Sequence, residues 1–100
     1  MKSHDEAMIE MLRSDPDFAT EYMRTAFEEM DEEGGEAALL MALRHVVEAR
    51  GGMADVAKRA DLSRESLYRA LSPNGNPTLH TLRAVVKAAG LSFAQLMHPA

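Results

Sequence analysis

Apolar residues recur along most of this chain at steps of three and four, the spacing of helices that each bury one face. Met8, Ile9, Met11 and Leu12 gather on one side of a short amphipathic helix over 5–12. Asp15 and Pro16 then open a clearer helix: aspartate is a good N-cap, and proline at the first helical position has no N–H to leave unpaired. Its stripe of Ala19, Tyr22, Met23, Ala26, Phe27 and Met30 reads as core. Charge and glycine at 31–35 interrupt the pattern and predict a loop. A further helix over 36–50 carries Leu39, Leu40, Leu43, Val46 and Val47 and stops at Gly51 and Gly52.

Residues 53–71 pack a short helix, a tight break and a second short helix into nineteen positions. Val56, Ala57, Leu62, Leu67, Ala70 and Leu71 are placed to pack the two helices together, which leaves Arg64, Glu65, Tyr68 and Arg69 facing outward. The turn-rich run 72–77 follows. Leu79, Leu82, Val85, Val86 and Ala89 then mark a helix beginning near Thr78 and ending at Gly90, and Ser92 can cap a last helical turn bearing Phe93, Leu96 and Met97. No segment alternates apolar and polar residues with β-branched enrichment, so no strand is expected. The fold class predicted is all-α, five or six helices, divided as an acidic N-terminal helical extension over 1–50 and a domain over 51–100 built around the two-helix motif, the two forming one compact unit.

An apolar share of 46% and a charged share of 27% suit a globular domain, and one hundred residues leave no room for a second large one. The absence of cysteine removes disulfides and thiolate metal sites and fits a reducing cytoplasm. No apolar run approaches a membrane span, and the first residues lack the apolar core of a secretory signal, so a cytoplasmic, membrane-free protein is expected.

The formal net charge of -5 argues at first against a nucleic-acid partner. The distribution changes that reading. Residues 1–50 hold 13 acidic and 5 basic side chains, whereas residues 51–100 hold 3 acidic and 6 basic. One half can touch phosphate while the other meets a basic protein or serves as a solvated face.

Within 53–71 the second helix has the properties of a helix laid in the major groove of DNA. Ser63 is a natural N-cap with its hydroxyl aimed at a backbone N–H near Ser66, and the positive end of the helix favours a nearby phosphate. Arg64 and Arg69 can each reach a phosphate or a base edge such as guanine O6 and N7, and Glu65 can accept from cytosine N4 or pair with Arg69. Tyr68 suits a thymine methyl, a phosphate or plain packing. Lys58 and Arg59, on the preceding helix, are placed for phosphate or for solvent. Asn74, Asn76 and Thr78 surround a helix start able to hold a phosphate, or they make the turn and nothing more.

Other chemistry is poorly supported. The carboxylates at 31–33 do not follow calcium-loop spacing. His45 and Glu48 lack a second ligand pair and read as ordinary surface residues. With no cysteine, no paired zinc-binding histidines and four scattered histidines, no catalytic constellation assembles, and neither an enzyme nor a cofactor is expected.

The stretch 53–71 resembles the helix-turn-helix of the Cro and phage-repressor (Xre) class, with Ala57, Leu62, Ser63, Leu67 and Leu71 at that class's inter-helix, turn, cap and anchor positions. Asp61 stands where the class usually has glycine at the turn, and Met53 where it often has a phosphate-gripping glutamine. The longer string from Gly51 through Leu82, including LSRESLYRALSPNGNPT, is similar to the HigA-like antitoxins of addiction modules. DPDFATEYMRTAFEE and ALLMALRHVVEARGG also look like that family's leading helices.

The resemblance implies a lambda-repressor-like domain with an N-terminal helical extension. It also implies a homodimer that binds a palindromic operator in double-stranded DNA, represses its own operon, and neutralises a small basic RelE/ParE-type toxin. One half-site gives little affinity, so two copies spaced one DNA turn, roughly 34 Å, are expected. The dimer surface is open between the C-terminal helices and the N-terminal extension. Glu28, Glu29, Asp31, Glu32, Glu33 and Glu36 would steer a basic toxin, while Met8, Met11 and Leu12 supply either apolar contact with it or, the preferred reading, core. A solitary regulator, or an interaction adaptor without DNA binding, is the alternative.

Overall fold

Serine, threonine and aspartate side chains punctuate the chain by taking up backbone N–H groups that would otherwise go unpaired. In the computed structural model, which describes residues 1–98, Ser3 Oγ accepts from the Glu6 N–H at 3.1 Å and opens α1, His4–Ser14. Asp15 accepts from Phe18 at 3.2 Å and opens α2, Pro16–Glu28. Thr78 accepts from Thr81 at 3.1 Å for α6, Leu79–Ala88, and Ser92 from Gln95 at 3.3 Å for α7, Phe93–Met97. Between them lie α3, Gly35–Ala49, α4, Gly52–Arg59, and α5, Arg64–Ala70. The described residues therefore form seven helices and no strand, where five or six helices are predicted. Caps at Ser3 and Ser92 let even the two end segments close as helices.

The loop at 31–35 ends on a glycine for a steric reason. A Cβ on Gly35 would lie 2.3 Å from the Glu29 carbonyl oxygen and 2.5 Å from that of Met30, so the first turn of α3 can touch the end of α2 only without a side chain there.

Helix α3 is the spine of the molecule. Its Leu39, Leu40, Leu43, Val46 and Val47 are buried; α1 and α2 pack on it through Leu12, Ala19 and Met23, and α4 packs on it through Met53, Val56 and Ala57. Leu67, Leu71, Val85, Val86 and Leu96 continue the same core to the C-terminal end. Phe27 meets Phe93 edge-on at 5.7 Å between ring centres, and an Arg24 Nη donates to the Gln95 carbonyl at 3.1 Å, which returns α7 onto α2. The acidic and basic halves change over near residue 50, but the apolar core runs straight across that point.

Two expectations are corrected by this packing. His45, read as a surface residue, is only 7% exposed. Its Nε2–H donates to Asp5 at 3.0 Å and its Nδ1 faces the Tyr22 hydroxyl at 2.8 Å, so one imidazole joins α1, α2 and α3. Burial, and after it the Asp5 charge, pushes the Tyr22 phenol above its ordinary value, which keeps it protonated as a donor. The methionine-rich start of the chain is divided between roles: Leu12 is fully buried, Met8 packs against the core, and Met11 remains exposed.

Candidate nucleic-acid interface

The break between α4 and α5 is a Schellman closure. The Leu62 N–H bonds the Ala57 carbonyl at 2.8 Å and the Asp61 N–H bonds that of Lys58 at 3.2 Å, with Asp61 left-handed at φ 58°. Aspartate tolerates that conformation better than most residues, so the turn forms without the usual glycine. The chain then re-enters a helix at Ser63, whose Oγ accepts from the Ser66 N–H at 3.0 Å, the bond that the sequence predicts. Ser63 also donates to the Ser66 hydroxyl at 2.8 Å, which leaves the Ser66 hydrogen free.

Leu67 and Leu71 root α5 in the core, at 0% and 2% exposure. Opposite them, Arg64, Glu65, Tyr68 and Arg69 all face solvent. Among the described residues no ion pair ties Arg64 or Arg69 to a carboxylate, and the Glu65–Arg69 pair considered from the sequence does not form.

The two cations of α4 differ. Lys58 is exposed and makes no side-chain hydrogen bond among the described residues. Arg59 donates from Nε to the Ala88 carbonyl at 3.0 Å and from Nη2 to the Arg50 carbonyl at 2.6 Å. Its charge thus sits at the negative C-terminal ends of α6 and α3.

Beyond α5, residues 72–77 fold back on its last turn. A Cβ on Gly75 would stand 2.2 Å from the Ala70 carbonyl oxygen, so glycine is required for this approach. The fold-back brings Asn74, Asn76 and Thr78 beside Ser66 and Arg69 around an open depression of about 550 Å³. Thr78 uses its hydroxyl to cap α6, while Asn74 and Asn76 are exposed. Spacing alone did not single out Arg44 of α3, whose guanidinium lies 4.5 Å from the centre of the Tyr68 ring.

Among the described residues no three His, Asp or Glu side chains converge as a metal site, and no helix is long and apolar enough to cross a membrane. Fold and surface together define an all-helical protein whose polar side chains are displayed on a short, firmly rooted helix. A family model described as probable addiction module antidote protein matches residues 2–97, and the chain belongs to that family. Over 55 residues it is also 47% identical to a Haemophilus influenzae protein described as uncharacterized; the match takes in 55% of this chain and 56% of that protein, so the chain spans about half the length of the curated relative it matches. No solved structure matches the chain.

Proposed function

We propose that this protein is an antitoxin that binds the operator of its own addiction module through a lambda-repressor-like helix-turn-helix, α4 and α5, and represses that operon as a homodimer. The observation that carries the reading is the exposed row Arg64, Glu65, Tyr68 and Arg69 on a helix held from behind by Leu67 and Leu71, in a chain of the antidote family. Unpaired guanidinium groups at Arg64 and Arg69 are free to take the O6 and N7 edge of guanine, and Glu65 to accept from cytosine N4. Lys58, Ser66, Asn74 and Asn76 flank the row as phosphate ligands through their side chains, and Ser63 and Thr78, whose hydroxyls are spent on capping, through their backbone N–H groups. Arg59 is left out of that set, because its Nε and Nη2 bonds to the Ala88 and Arg50 carbonyls hold the guanidinium against the ends of α6 and α3. Such a protein works in the cytoplasm, on the nucleoid when bound.

The same reading gives the acidic half a partner. Glu28, Glu29, Asp31, Glu32, Glu33 and Glu36 are all exposed and would speed encounter with a small basic toxin of the RelE/ParE type.

The test is a titration of the DNA immediately upstream of the protein's own reading frame. Each bidentate guanine contact contributes about 1–3 kcal/mol of discrimination, so Arg64→Ala and Arg69→Ala should each weaken specific binding by about fivefold to about 150-fold while far-UV circular dichroism stays unchanged. Binding should also fall steeply with added salt. If both variants bind like the parent, α5 is not the reading helix. A parent with no salt-dependent specific complex would instead be an interaction adaptor.

A further inference from the structure

We propose that Arg44 is a DNA phosphate ligand on α3, held over the Tyr68 ring of the reading helix; this rests on the DNA-binding reading above. The acidic half is rich in partners for an arginine, and Lys2 and Arg24 do pair with Glu10 and Glu21. Arg44 does not. Glu48 lies one turn further along the same helix, yet the guanidinium lies over the Tyr68 ring, 4.5 Å from its centre, and makes no ion pair among the described residues.

A contact of this kind draws on the ring's negative face and does not consume N–H donors, and Arg44 makes no side-chain hydrogen bond among the described residues. A half-buried stem on α3 and a planar shelf from α5 remove much of the rotamer freedom that a surface arginine loses on binding. Because Arg44 projects from the helix beside the reading helix, its target is the strand backbone flanking the groove, where a fork of N–H donors matches phosphate oxygens. Tyr68 then acts as a positioning residue for Arg44, and one face of its ring is covered by the guanidinium.

The salt dependence of binding separates this role from a structural one. Parent, Arg44→Ala and Arg44→Lys are titrated against the upstream duplex and an unrelated duplex of equal length, from about 50 to about 200 mM salt. One phosphate contact contributes about 0.9 to the slope of log affinity against log salt, so the advantage of the parent over Arg44→Ala should shrink about 3.5-fold across that range. The shrinkage should be similar on both duplexes, since phosphate carries no sequence information. Arg44→Lys should retain the parent's slope at lower affinity. If the parent binds but Arg44→Ala has the parent's slope, or if Arg44→Lys loses slope as Arg44→Ala does, the proposal fails while the reading helix stands. If the parent binds neither duplex, both fall together.

Discussion

Asp61 is the non-glycine residue with positive φ among the described residues, and it sits in the turn that aims α5. Replacing it with glycine sets two opposing effects against each other. An ordinary L-residue in the left-handed region is destabilised by about 1–2 kcal/mol, and aspartate by less when its side chain bonds locally. Asp61 makes no side-chain hydrogen bond among the described residues, so little of that relief applies. Glycine removes the strain but loses about 0.5–1 kcal/mol more backbone entropy on folding. The Schellman bonds from Leu62 and Asp61 require only backbone atoms and survive the change. Strain relief should win, leaving Asp61→Gly more stable by about 0.5–1 kcal/mol. At about 0.2 kcal/mol/K for a chain of this length, that corresponds to about 2–5 °C in melting temperature. Asp61→Asn, which keeps the tolerance for left-handed backbone but not the charge, should stay within about 0.5 kcal/mol of the parent. Asp61→Ala, which keeps the left-handed strain of an L-residue, should also stay within about 0.5 kcal/mol of the parent. Urea unfolding followed by far-UV circular dichroism measures all three. An Asp61→Gly midpoint at or below the parent's with an unchanged slope, or an Asp61→Ala as stable as Asp61→Gly, would refute the strain argument.

The two cations of α4 should separate in opposite directions. Arg59→Met should destabilise by about 1–2 kcal/mol through loss of its bonds to the Ala88 and Arg50 carbonyls, with the DNA salt slope unchanged. Lys58→Ala should leave stability within about 0.5 kcal/mol and lower the slope by about one unit. Tyr22 predicts an alkaline effect: its phenol is pushed above the ordinary value of 10.0 by burial and then by Asp5, so the folded chain keeps a proton that the unfolded chain releases. Its contribution is complete below about pH 10 and is lost as pH rises through the folded value. Tyr22→Phe should be less stable near neutrality, by about 0.5–1.5 kcal/mol for the bond to His45, and should decline less steeply above pH 10; parallel pH profiles would rule the linkage out.

Short-range features could be read directly from residue order. Asp15, Ser63 and Ser92 cap helices through bonds that close within three residues, so neighbours in sequence are enough to specify them. The outward row of α5 followed from the same helical spacing that buries Leu67 and Leu71. The left-handed conformation of Asp61 could be anticipated only through the resemblance, which puts it where the helix-turn-helix class usually has glycine.

Where each helix finds its neighbour was decided only by tertiary packing. His45 looks like any exposed histidine until α1 crosses α3 and sets Asp5 against it, forty positions away. Arg59 and Lys58 are adjacent cations of the same type of helix, and only the ends of α3 and α6 meeting beside Arg59 distinguish them. Arg44 gains Tyr68 in the same way. Periodicity specifies which face of a helix is apolar, but the partners of the polar side chains depend on contacts between segments far apart in the chain, and no local pattern encodes those.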